Sequence, residues 1–202
     1  MLYYHSMIDE KVKLKLMLYF TLLYLLVFTA ISLFNKNYEF LYYTLVMSLL
    51  LFLVVLYHKK LHLTTAIIFG LTVVGAMHIF GGNIHIFGTR LYEFWLIPGV
   101  FKYDNLVHII GTFVATFISY SLLFPHLDKK LKHSKFLLAL VLILIASGIG
   151  AFNEVLELFA VVFLGATKQV GDYLNNALDL LFNFIGAIIA SIYIVYYHKR
   201  KR

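Results

Sequence analysis

Asp104, His108, Glu154, Glu157 and Asp179 bring one imidazole and four carboxylates into the second half of the chain at spacings that suit helices. Asp104 and His108 stand four residues apart and Glu154 and Glu157 three, so each pair shares a helix face. Asp172, Asn175, Asp179, Asn183 and Gly186 fall at offsets of 0, 3, 7, 11 and 14, one polar stripe down a single helix. Imidazole nitrogen and carboxylate oxygen are donors that hard and borderline divalent metals accept. Helical bundles build carboxylate-rich metal centres from such faces, although their usual E-x-x-H pair is here E-x-x-E. The expected centre takes Asp104, His108, Glu154, Glu157 and Asp179 as ligands of a divalent metal ion, with a glutamate, Glu154 or Glu157, or a metal-bound water as catalytic base. Asn105, Asn153, Asn175, Asn176 and Asn183 are donors that would orient the carboxylates, and Asp172 heads the stripe. His78 supports the set by its depth and neighbours, yet taken alone it suits a membrane interface better than a ligand role.

The elements that carry these residues are apolar. Of 202 residues, 62% are hydrophobic, 17% aromatic and 13% charged, where soluble domains are about 25% charged. That composition excludes a soluble enzyme, a disordered chain and a nucleic-acid-binding domain. The absence of Cys excludes disulfides, thiolate metal sites and cysteine nucleophiles. Six apolar segments are predicted, at 14–34, 40–56, 63–80, 105–124, 136–165 and 174–197. Each reaches or approaches the roughly 20 residues that a membrane-crossing helix needs. The first is too long for a signal-peptide core and lacks a small-residue cleavage site, so it counts as a span. The expected fold is all-α: a polytopic membrane bundle of six transmembrane helices forming one domain over 1–202.

Basic residues set the expected orientation. With the N-terminus inside, 13 of the 17 Lys and Arg fall on inner segments, and Lys36, Arg90, Lys102 and Lys168 fall outside. The positive-inside rule then gives an N-in, C-in, multi-pass protein of the cell membrane. Tyr3, Tyr4, Tyr42, Tyr43, Tyr196 and Tyr197 suit an interfacial aromatic belt, and the basic tail at 198–202 needs no explanation beyond topology. In this orientation Glu93, Asp104, Glu154, Glu157, Asp172 and Asp179 gather in or above the outer half of the bilayer. Charge at that depth costs on the order of 2.5–3.5 kcal/mol per group, so protons or a bound cation must compensate the acids. The segment 82–103, with Arg90, Tyr92, Glu93, Phe94, Trp95, Pro98 and Gly99, is expected to lie on the outer leaflet as a connector or a lid. Arg90 and Lys102 there are placed to meet an anionic headgroup.

At these residues the chain resembles the YjdF-type family of uncharacterised inner-membrane proteins, over roughly Gly75 to Ala190. The matching elements are Met77-His78 with Gly81-Gly82, Asp104-x-x-x-His108-x-x-Gly111, Glu154-x-x-Glu157, and Gln169 to Asp172 followed by Asp179. Val170 departs from the pattern, since the family has Gln directly before Gly. A weaker likeness extends to VanZ-like membrane proteins, whose D-K-x-x-H, glutamate and D-x-x-x-N elements come in the same order. The resemblance implies a membrane family and no established chemistry.

Two function classes fit the residues. One is an intramembrane metal-dependent enzyme acting on a lipid or amphiphile, and the other a cation or proton transporter that uses the same acids as its relay. A structural network of protonated acids and amides that holds helices together is the third. Membrane lipid and a small ion or lipid substrate are the expected partners, and nucleic acid is not. No Lys lies well inside a late span, and no phosphate loop, nucleophile elbow or H-E-x-x-H occurs.

Overall fold

Long apolar runs become helices because a backbone in lipid must satisfy its own hydrogen bonds. The computed structural model bears this out, with two small hairpins as its strands. It describes the backbone of residues 2–197 and the side chains of 9–167 and 170–197. Tyr3, Tyr4, His5, Lys168, Gln169 and the basic tail at 198–202 lie outside the described side chains. Six helices among the described residues are long and apolar enough to cross a membrane: Asp9–Phe34, Tyr38–Tyr57, Thr65–Asn83, Tyr103–His126, Lys135–Leu164 and Tyr173–Tyr196. Contacts group the chain into two compact units, Met1–Leu91 and Tyr92–Arg202.

The N-terminal unit holds α1 (Leu2–Phe34), α2 (Tyr38–Tyr57) and α3 (Thr65–Asn83). Asn37 and Thr64 start α2 and α3 by accepting the backbone N–H groups of Phe40 and Ile67 on their side chains. Tyr24 and Leu25 of α1 pack on Ala76 and Ile79 of α3. The Ser32 hydroxyl donates to Asn83 Oδ1 at 2.9 Å and ties the ends of the same two helices. After α3, β1 (His85–Ile86) pairs antiparallel with β2 (Thr89–Arg90). The corner is Phe87-Gly88, both with positive φ, +51° and +81°, the signature of a tight two-residue hairpin turn. Arg90 turns inward here. Its guanidinium stands 3.8 Å from the buried carboxylate of Glu39 in the first turn of α2, so the predicted headgroup contact is replaced by an internal ion pair.

The C-terminal unit opens with a second antiparallel hairpin, β3 (Trp95–Ile97) and β4 (Phe101–Lys102). Pro98 and Gly99 form its corner, with Gly99 at φ +72° and Val100 N–H donating to Ile97 O at 3.0 Å; Pro then Gly with positive φ is type II turn chemistry. The chain continues through α4 (Tyr103–Leu123), α5 (Lys129–His133), α6 (Lys135–Leu164), α7 (Thr167–Val170) and α8 (Tyr173–Tyr196). Ser134 caps α6, Gly165 ends it in the left-handed conformation, and Asp172 caps α8. Helices α4, α6 and α8 pack on one another. Their apolar core, Tyr120, Leu138, Leu142, Ile194 and Val195, fills the end where α4 and α8 finish and α6 begins.

Two glycines let α8 close on its neighbours. A Cβ on Gly186 would run into the backbone carbonyl of Ile109 and the Thr112 hydroxyl on α4. One on Gly150 of α6 would meet the Asn183 side chain within 2.9 Å. Backbone cannot yield as a flexible side chain can, so Gly186→Ala is expected to push α8 off α4. It should lower the thermal unfolding midpoint in detergent by an amount matching about 1–3 kcal/mol of overpacking. Ile189→Ala, on an exposed α8 position, serves as control and should change the midpoint little.

Candidate functional site

The polar residues occupy the other end of the C-terminal unit. His108 stands about 8 Å along α4 from its first residue, and Asp179 about 9 Å along α8 from its own, at 1.5 Å per residue. Glu154 and Glu157 approach from α6. The two pairs and the stripe share faces as their spacing requires, and the faces meet at His108.

His108 is buried and uses both ring nitrogens. Its Nε2 lies 3.5 Å from Asp104 Oδ1 and 3.5 Å from Asp179 Oδ1. Its Nδ1 lies 3.2 Å from Asn183 Oδ1 and 3.7 Å from Glu154 Oε1. Two groups result, Asp104–His108–Asp179 and His108–Glu154–Glu157, and in each the potential ligand atoms fall within 4.8 Å of one another. The expected five-residue cluster is thus two triads that share one imidazole.

Amides hold the carboxylates in place. Glu154 accepts from Asn176 Nδ2 at 3.1 Å and Asn183 Nδ2 at 3.3 Å, one on each oxygen. Glu157 Oε1 accepts from Asn153 Nδ2 at 2.9 Å, and Asp179 Oδ2 from Asn175 Nδ2 at 2.8 Å. Asn175 is fixed in turn: its backbone N–H donates to Asp172 Oδ1 and its amide also donates to Val170 O. Asn105 turns elsewhere, its Oδ1 accepting the Lys102 backbone N–H at the start of α4. His78 belongs to the N-terminal unit, where its ring lies against Phe40 and Tyr43.

The Asn183 amide decides the imidazole's tautomer. With Nδ2 donating to Glu154, its Oδ1 faces His108 and calls for an N–H on Nδ1. Nε2 then faces two carboxylate oxygens, where a proton or a cation must stand. Asp179 Oδ1 makes the same demand. Asp179 is 1% exposed, and this oxygen has no hydrogen-bond partner. Two like unit charges about 5 Å apart repel by roughly 3 kcal/mol at an effective dielectric near 20, so four carboxylates cannot remain uncompensated here.

Glu39 does not stand out in the sequence, because it sits one residue before the second predicted span and resembles loop. An acid beside an apolar run, with Arg90 in the loop above, is the signal that could have found the pair.

Fold and site together define a polytopic helical membrane protein with an acid–imidazole cluster buried among its last three spans. The chain belongs to the family described as predicted membrane protein (DUF2238), whose model matches residues 14–200. No curated protein and no solved structure matches the chain.

Asn183 is where the two triads meet, so its loss tests the cluster as a unit. Asn183→Leu removes the hydrogen bonds of His108 Nδ1 and of Glu154 Oε1, leaving only their 3.7 Å approach to each other, and it should cost about 1–3 kcal/mol in urea or thermal unfolding. Adding Glu154→Leu to it should restore part of that loss, since the unpaired carboxylate is then gone as well.

Proposed function

We propose that the C-terminal unit binds a divalent cation within the membrane, at Asp104, His108 and Asp179, and uses it to act on a lipid or amphiphile. The observation that carries this reading is the unpartnered, buried Asp179 Oδ1 standing 3.5 Å from His108 Nε2. That distance is long for a hydrogen bond. Donors bound at about 2.1 Å around a tetrahedral ion stand roughly 3.4 Å apart, so 3.5 Å suits two ligands of one ion. The Nδ1–H bond to Asn183 is the outer-shell contact that ligating histidines commonly make, and it presents the Nε2 lone pair to the ion. The mixed nitrogen and carboxylate set favours manganese, iron or zinc over calcium.

A bound ion of this kind would polarise an ester or phosphoryl oxygen. Glu154 and Glu157, on the opposite side of the ring, are the carboxylates left to accept a proton from a nucleophile. By the distribution of basic residues the site lies in the outer half of the cell membrane, N- and C-termini inside. The likeness to YjdF-type and VanZ-like proteins rests on these same acids and His108. Cation or proton transport is the second reading, favoured by the graded burial of the acids. Asp104 is half-buried while Asp179 is sealed, so carboxylates lead from the rim inward.

Metal analysis of protein purified without chelator tests the first reading. One manganese, iron or zinc per chain is expected, lost in Asp179→Asn and His108→Ala. In stripped protein the ion should raise stability by about 2.7 kcal/mol at a hundredfold excess over its dissociation constant. Metal-free protein whose unfolding ignores all three ions would refute it. A pH-dependent ion flux in liposomes that disappears in Asp179→Asn would establish transport instead.

A further inference from the structure

We propose that the two hairpins between α3 and α4 are membrane anchors whose tips sit in the lipid interface, where polar headgroups meet acyl chains. This does not depend on the cation reading. It concerns 19 residues, 84–102, that the helices leave over.

Placement comes first. Helix α3 has 19 residues and measures about 28 Å, close to the roughly 30 Å thickness of the hydrocarbon. Its last residue therefore stands near the bilayer boundary, and so does the first residue of α4, which opens the next span. The tip of the β1–β2 hairpin is four residues beyond α3, and the β3–β4 hairpin runs directly into α4. Each hairpin is thus tethered to the boundary by its own span.

Side chains then decide what the tips touch. Phe87 is fully exposed at the first corner, in a left-handed conformation that bulky residues adopt at a steric cost. An Asn or Gly would make the same turn without that cost, so the phenyl ring needs a return that water cannot give. At the second hairpin Trp95, Leu96, Ile97 and Val100 are all exposed. The eight residues from Phe94 to Phe101 contain no charge. Soluble surfaces seldom present such a run.

The two cations of the hairpins are both engaged by other side chains. Arg90 pairs inward with Glu39, and the Lys102 amine lies 5.2 Å from the centre of the Trp95 ring. A Trp beneath a Lys amine matches the interfacial arrangement in which the ring meets acyl chains and the amine reaches the headgroups. Phe101, against Phe182 of α8, fastens the second hairpin to its helix bundle. The occupant of these tips is the bilayer that already surrounds the spans.

The chain has one Trp and no Cys, which gives each hairpin its own reporter. The full-length protein is reconstituted in phosphatidylcholine vesicles carrying brominated acyl chains. Trp95 emission should be blue-shifted, lose most of its intensity to bromines near the carbonyl end, lose less to deeper ones, and resist aqueous iodide. In Phe87→Cys labelled with an environment-sensitive dye, the emission should shift to the blue in vesicles and likewise escape iodide. Water-like emission quenched by iodide at either position would overturn the proposal. Emission shielded from iodide and bromine alike would overturn it too, because protein, a second copy or a partner, then covers the tip.

Discussion

A lone imidazole faces four carboxylates in a medium that solvates charge poorly, and much of the C-terminal unit follows from that. Charge inside a bilayer must be compensated locally, by a proton, a cation or a hydrogen-bond donor. The only Lys or Arg within the last three spans is Lys135, the first residue of α6 and at the end away from the acids. Compensation falls to His108 and to four asparagines, each donating to a named carboxylate. Amides fit this role because they donate without adding charge. Close helix packing then becomes obligatory, since such bonds tolerate little slack, and Gly150 and Gly186 supply the missing volume. The polar end and the apolar end of the unit divide the labour. Leu138, Leu142 and Ile194 pack the far end tightly, while the near end holds groups that packing alone would not stabilise.

Much of this is legible in the sequence. Hydrophobic runs of about 20 residues placed five of the six spans within about three residues of their helix bounds, because length and polarity decide what crosses a bilayer. The first matches only at its end, since α1 begins at Leu2 rather than Leu14. Face-sharing at three, four and seven residues was enough to bring Asp104, His108, Glu154, Glu157 and Asp179 toward one place. The use of both ring nitrogens was not legible, since spacing gives a face but no rotamer. Asn105 looked like its fellow amides, but at the third position of α4 the Lys102 backbone N–H is within its reach. The hairpins escaped because strands of two or three residues are too short to show alternation. Their Phe-Gly and Pro-Gly corners were visible, but without strands to flank them they read as plain loop.

The pair Glu39–Arg90 belongs to the same physics in another place. A carboxylate at the head of α2 is buried, and a guanidinium from the following hairpin comes to meet it. Each unit therefore meets the problem of a buried acid in its own way. The N-terminal unit uses a fixed cation on the chain itself. The C-terminal unit relies mainly on an imidazole, whose charge can change, with Lys102 as a further cation acting on Asp179. That difference separates a cation fixed by covalent structure from a group whose protonation can change.

The hold on the most deeply buried acid depends on the start of its helix. Asp179 is positioned by Asn175, and Asn175 is held by the Asp172 cap and by Val170 O, all in or before the first turn of α8. Helix ends open at far lower free energy than helix middles. Fraying of one turn would thus release Asp179 while Gly186, two turns deeper, keeps α8 seated on α4. The order of a buried carboxylate thus rests on a helix cap.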